Sequence, residues 1–385
     1  MTCPLCSSNR NVVFDQRERV PVHQNGRCES RQEALATPVG RLEMTGCLAC
    51  GFVWNAAFEP DLLVYDARYE NDQTCSGAFR THVASCARRV AEAHADLDQP
   101  RIVEVGCGQG TFFKAMAETL GALPGPAAGF DPAWRGADGE GPATARLFRA
   151  YFDRSTAALA GGRPDAVISR HTIEHVRDPI AFLSGIRAAS GRGPLRLFIE
   201  TPCSNWIFDH HQIQDLFYEH CSLFTAANLA QAIESAGFGA ATVEHVFEGQ
   251  YLWAQAGVGS GRSPSAPIPR FDKWQSEKNR YVMHWRRVVA DAAARGPVYL
   301  WGAGSKGVTF SLLIDPDGDA LAGAVDINPV KQGCFLPLTA VPVLPPQDLP
   351  RAHATVIVMN PAYQAEIEAQ VRAIGCDLEF LSLAA

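Results

Sequence analysis

A strand that ends in three spaced glycines constrains this chain more than any other feature. Val103-Glu104-Val105 runs into Gly106-Cys107-Gly108-Gln109-Gly110, and helical periodicity follows from Thr111 to Leu120. Glycine takes backbone angles that other residues avoid, and without a side chain it lets the turn approach a ligand that faces the next helix N-terminus. Such a unit belongs in a parallel α/β sheet with its ligand at the strand ends. The residue after Gly110 is Thr111, where a dinucleotide fingerprint wants glycine or alanine, which counts against a nicotinamide-dependent oxidoreductase.

The same alternation continues downstream. Strands are expected at 101–105, 127–130, 165–169 and 195–200, helices at 79–97, 179–189 and 226–236, and a closing hairpin at 242–247 and 251–256. A stretch rich in Gly, Pro and Ser, 257–269, then reads as a linker, and a helical arm follows to residue 295. A second glycine turn, Gly302-Ala303-Gly304-Ser305-Lys306-Gly307, follows the strand 298–301, so two nucleotide-binding-like folds stand in tandem. The expected units are 1–75, turn-rich and without a sizeable core, then 76–256, the linker and arm 257–295, and 296–385.

At 385 residues, 47% apolar and 19% charged, the chain is globular and long enough for two or three domains. Its net charge of −7 argues against non-specific nucleic-acid binding. No apolar run approaches the roughly 20 residues that span a bilayer, and residues Met1 to Cys6 carry no basic, apolar leader pattern. A cytoplasmic protein with a small-molecule substrate is expected, with no nucleic acid and no membrane partner.

Two Cys-x-x-Cys pairs, Cys3/Cys6 and Cys47/Cys50, precede the sheet. That spacing places two sulfurs at about the separation a tetrahedral ion needs, and four thiolates make a closed structural zinc site. One pair acting in redox chemistry is the alternative left open by the long polar stretch between them. Cys28, Cys75, Cys86, Cys203, Cys221, Cys334 and Cys376 are scattered packing residues.

Histidines and acids gather on the loops after the strands, in Arg170-His171-Thr172-Ile173-Glu174-His175 and Tyr218-Glu219-His220. These are the ligand-side loops of such a sheet, and histidine is the side chain suited to proton transfer at neutral pH.

Glu104, the glycines Gly106, Gly108 and Gly110, and Asp131 at the end of the next strand resemble motif I and the ribose-binding acid of class I S-adenosylmethionine-dependent methyltransferases. In that fold the glycines line the amino-acid part of the cofactor, and Phe152, beside Tyr151, falls where adenine sits. The full order of parts resembles the sugar C-methyltransferases of deoxysugar biosynthesis. The four cysteines, VEVGCGQG, RHTIEHV, Glu200-Thr201-Pro202 with Trp206, YEHCSLF, WGAGSKG and DINPVKQGCFLP carry the likeness.

That resemblance implies a class I methyltransferase Rossmann-like sheet with an N-terminal four-cysteine zinc module and a second, C-terminal Rossmann-like domain. It implies transfer of methyl from S-adenosylmethionine to a carbon beside a ketone of a nucleotide-linked keto sugar. The Glu-His pair of the family carries over to Glu219 and His220, with His220 as base, and a further histidine to His171. Tyr218, His175, Trp206 and Lys306 are the expected substrate neighbours, with Lys306 and Lys331 near a diphosphate. Phe217 stands where the family has a substrate-contacting tyrosine, so the acceptor can differ unless Tyr218 takes its place. O- or N-methylation of another small molecule is the alternative activity, and a non-catalytic zinc-containing scaffold the alternative class.

Overall fold

The computed structural model describes residues 2–63, 65, 68–70, 72–257 and 264–383. Residues 258–263 of the expected linker lie outside the described residues.

The central sheet has seven strands in the order Ala241–Val246, Tyr251–Ala256, Arg196–Pro202, Ala166–Arg170, Ile102–Val105, Ala127–Phe130, Arg146–Phe148. Only Tyr251–Ala256 runs antiparallel to its neighbours. Helices cover both faces, and Ile102, Val103, Val167, Ile168, Leu197 and Phe198 are fully buried, which is why these strands read as unbroken apolar runs. The chain leaves Ile102–Val105 toward Ala127–Phe130 on one side and Ala166–Arg170 on the other. Such a reversal opens a crevice at the carboxyl ends of the strands. The helices Thr111–Leu120 and Pro179–Ala189 have the expected bounds. Thr225 caps Ala226–Ser235 in a reciprocal box with Asn228.

A second sheet of five parallel strands runs Val343–Leu344, Gly323–Val325, Val298–Trp301, Thr355–Val358, Glu379–Ser382. Its order reverses at Val298–Trp301, which feeds the second glycine turn and the helix Ser305–Ile314. The two sheets share one device. Asp131 accepts hydrogen bonds from Gly108 N and Ala133 N, at 2.8 and 2.7 Å. Asp326 accepts from Ala303 N and Asn328 N, at 3.0 and 2.9 Å. In both, the acid ending the second strand pins the glycine turn of the first.

The amino-terminal segment departs from expectation. It contains the long antiparallel strands Asn11–Pro21 and Val39–Cys47, then Val53–Asn55, and the central domain adds Ser222–Leu223 as a fourth. Its core is shared: Phe14, Leu42 and Met44 pack with Phe208, Leu223 and Trp274. Nor is the arm free-standing. Helix Phe271–Ala293 buries Trp274 against the amino-terminal sheet and Trp285 and Val289 in the carboxyl-terminal core. Asp15, fully buried, binds it through Trp274 Nε1 and Lys278 and also pairs with Arg17 at 2.7 Å.

Candidate functional site

Two cavities meet where the three parts adjoin. The first, about 570 Å³, opens over the glycine turn and is lined by Gly106, Gly108, Asp131, Phe152 and the Glu104 side of the strand. Gly106, Gly108 and Gly110 all have positive φ, at 76°, 54° and 75°. A Cβ on Gly106 would stand 2.1 Å from Thr172 Oγ1, whereas one on Gly108 would meet nothing within 4 Å. Gly108 therefore faces open space, and a side chain there would intrude on a bound ligand. Phe152 is buried with its ring 5.0 Å from that of Phe130, while its neighbour Tyr151 is 72% exposed on the rim.

Glu104 is the one carboxylate in this strand, and its Oε2 is buried without a hydrogen-bond partner. Burial raises its carboxyl to about 8, against the pull of Arg170. Burial likewise raises Asp131, which the N–H groups of Ala133 and Gly108 draw back down. An open buried carboxylate, a second one on fixed amides, and a turn open to the cavity at Gly108 fit a ligand with an ammonium group and a ribose, as S-adenosylmethionine has.

The second cavity lies between the two sheets, walled by His220, Phe217 and Trp206 on one side and by Gly304, Lys306 and Asp326 on the other. His171 and His175 line both cavities. His175 and His220 meet edge to face with ring centroids 4.9 Å apart, and the Tyr65 hydroxyl lies 2.7 Å from His175 Nδ1. Burial pushes the His220 imidazole well below its ordinary value, and His175, His171 and Lys306 push it the same way. The neutral imidazole is therefore the resting form, as a base requires.

His171 adopts φ 49° and donates its backbone N–H to Glu200 O at 2.9 Å. Its ring stands between two buried carboxylates, with Nδ1 3.5 Å from Glu174 Oε1 and Nε2 3.8 Å from Glu200 Oε2. Burial would raise Glu200, yet Arg170, His171 and His82 hold it below its ordinary value. Lys306 pairs with Asp215 at 2.7 Å and lies 5.2 Å over the Trp206 ring, and Lys331 Nζ donates to Asn25 Oδ1 at 3.3 Å.

Two expected residues point elsewhere. The chain turns at Tyr218-Glu219, which brings Phe217 and His220 together, ring centroids 3.9 Å apart, and sends the residues between them away. Tyr218 is fully buried, its hydroxyl accepting from Glu59 N at 2.9 Å, so it does not take the place of the missing phenol. Glu219 is also fully buried. Its Oε2 accepts from Gln24 N at 2.8 Å, and Oε1 lies 3.8 Å from His23 Nδ1. Its carboxylate ties the site to the amino-terminal segment.

Tyr65 and Tyr69 were not anticipated. Both line the first cavity, their rings edge to face at 4.9 Å. Two tyrosines at i, i+4 following the apolar run Leu62 to Val64 were the available signal. Glu200, a lone acid in an apolar strand, was another.

The four cysteines converge. Cys3 and Cys50 sulfurs are 3.8 Å apart, Cys6 and Cys47 3.6 Å, and all four lie within 4.8 Å of one another. Bonds of about 2.3 Å to a tetrahedral ion set sulfur–sulfur edges near 3.8 Å, so this donor set could hold one.

A family model described as a methyltransferase domain matches residues 79–243, and one described as a C-methyltransferase C-terminal domain matches 266–377. No curated protein matches the chain in sequence. Among solved structures it is similar to an O-methyltransferase family protein from Burkholderia thailandensis, with 15% identity, TM-score 0.33, and coverage of 48% of this chain and 59% of that one. It is also similar to magnesium protoporphyrin IX methyltransferase from Synechocystis PCC 6803 with bound SAH (16%, TM-score 0.33, 46% and 84%). A SAM-dependent methyltransferase from Archaeoglobus fulgidus is a third (15%, TM-score 0.34, 46% and 93%). The chain thus spans less than two thirds of the first of these. With its glycine turn and sheet order, the chain carries a methyltransferase domain of the class I fold followed by a C-methyltransferase C-terminal domain.

Proposed function

We propose that this enzyme methylates a carbon beside a ketone, on a nucleotide-linked keto-deoxysugar, with His220 as the base and a structural zinc ion on Cys3, Cys6, Cys47 and Cys50. The observation that carries the reading is the place of His220. It lines the cavity that runs toward the second glycine turn, and its ring stands 4.9 Å from that of His175, which lines both this cavity and the one over the first glycine turn, at their junction. A heteroatom that attacks with its own lone pair needs no strong base, but a carbon must first lose a proton, and a buried neutral imidazole supplies that.

S-adenosylmethionine supplies an electrophilic methyl group. His220 takes the proton from the carbon beside the ketone, and the C–H electron pair becomes the enolate. That carbon bonds the methyl as the sulfur–methyl bond breaks, and His220 returns its proton to solvent. His171, whose Nε2 has no hydrogen-bond partner, is the donor for the enolate oxygen. Phe217 presses its ring on His220 and fixes its plane. Lys306, Lys331 and the N-terminus of helix Ser305–Ile314 take the diphosphate. Holding the reacting carbon at that junction supplies much of the rate. The cysteine site is closed, so its ion is architectural.

Proton removal can be isolated from transfer. With S-adenosylhomocysteine in place of the donor, a nucleotide-linked 4-keto-deoxysugar in heavy water exchanges its α-hydrogen in the presence of the enzyme and not of His220→Ala. Equal exchange by both proteins removes His220 as the base.

A further inference from the structure

Glu174, His175 and His220 each bring one ligand atom to within 4.8 Å of the others. They come from two segments, the turn after strand Ala166–Arg170 and the turn that ends at His220, and each of the first two is oriented from behind. Thr201 Oγ1 donates to Glu174 Oε2 at 3.0 Å, and Glu174 is fully buried while its Oε1 has no hydrogen-bond partner. The Tyr65 hydroxyl holds His175 Nδ1 at 2.7 Å, which leaves Nε2 for another partner. No lysine or arginine pairs with Glu174 among the described residues; its nearest cationic candidate is His171, at 3.5 Å.

Two imidazoles and one carboxylate make the ligand set of open zinc sites, in which a fourth position is left for water or substrate. Hydrogen-bonded partners behind the ligands are the usual means of fixing them. Around an ion with bonds of about 2.1 Å, ligand atoms stand roughly 3.4 Å apart, so atoms within 4.8 Å of one another need to close by up to about 1.4 Å. Imidazole selects Zn²⁺, Co²⁺, Ni²⁺ or Cu²⁺ over Mg²⁺ and Ca²⁺.

We propose that Glu174, His175 and His220 form a second, open site for a divalent transition-metal ion, separate from the cysteines, and that an ion held there occupies the lone pair of His220 and reversibly stops methyl transfer. The inhibitory half rests on His220 being the base; the binding half does not.

The test titrates cobalt(II) into the full chain with its cysteine site already loaded with zinc. Binding at the new site gives visible d–d absorption without the near-ultraviolet thiolate-to-cobalt band that the cysteines would produce. The wild type gains this spectrum, Glu174→Gln and His175→Ala lose it, and Tyr65→Phe binds about tenfold more weakly or worse. Methyl transfer falls in step with the absorption and returns on brief chelation. Absence of the spectrum in the wild type, its persistence in both ligand variants, or activity that holds or rises as cobalt binds would overturn the proposal. If cobalt binds at these residues while His220→Ala still transfers methyl, the base assignment fails and the cation site stands. If His220→Ala is inactive and no cobalt binds, the reverse holds.

Discussion

His175, which lines both cavities, and His220, which lines the second, meet edge to face with 4.9 Å between ring centroids. His175 follows strand Ala166–Arg170 and His220 precedes Ser222–Leu223 of the amino-terminal sheet, so packing between the two units sets their spacing. Substituting His220→Ala is expected to slow transfer by about 10²–10⁴-fold, the range for loss of a general base, with S-adenosylmethionine binding near wild type in calorimetry. Because its surroundings disfavour the imidazolium, the acid limb of the rate profile falls below the ordinary histidine value of about 6.5. A limb at or above that value would contradict the burial argument.

Gly106 and Gly108 separate packing from binding. Gly108→Ala costs about 1–2 kcal/mol of backbone strain at positive φ and collides with no neighbour, so the protein folds and loses cofactor affinity. Gly106→Ala adds a clash with Thr172 and lowers thermal stability further. Calorimetry and melting curves on the two variants check the order.

The cysteines are expected to bear on the cofactor cavity at a distance. The sheet they anchor supplies Gln24 to Glu219 and leads into Tyr65 and Tyr69 on the cofactor cavity. Cys47→Ser is therefore expected to lower both melting temperature and cofactor affinity, and metal analysis of the wild type should find one tightly held zinc ion per chain. A variant that keeps full affinity would uncouple that segment from the site.

Glu104 gives a stability signature. Its carboxyl rises from 4.5 to about 8 on folding, so the protonated form is the favoured one. Its contribution is whole below 4.5 and is lost as pH climbs through 8. Over that window the cofactor-free wild type should lose on the order of a few kcal/mol relative to Glu104→Gln. Melting temperatures of the two proteins from pH 5 to about 9 read this directly; parallel curves would contradict it.

The parts legible in the sequence are those whose signal is local. Glycine turns, capped helices and fully apolar strands appear within about a dozen consecutive residues, and Thr111–Leu120 and Pro179–Ala189 were read to the residue. Strands of two and three residues, such as Val343–Leu344 and Arg146–Phe148, are too short to show a period. In Asn11–Pro21 the register shifts at Val13/Asp15 and Arg17/Val20, which breaks the alternation that marks a strand. Its buried face also finds its partners more than 180 residues away, at Phe208 and Trp274. The site divides in the same way. The turn at Tyr218-Glu219 decides that His220 faces the cavity and Glu219 does not, and residue types alone carry no sign of it.

The most direct measurement of the central claim is the carbon NMR spectrum of the product formed from S-adenosylmethionine labelled in its methyl group and a nucleotide-linked 4-keto-deoxysugar. A labelled methyl bonded to the ring carbon beside the ketone, absent with His220→Ala, is the predicted result. A label on oxygen or nitrogen, or equal carbon labelling by His220→Ala, would contradict it.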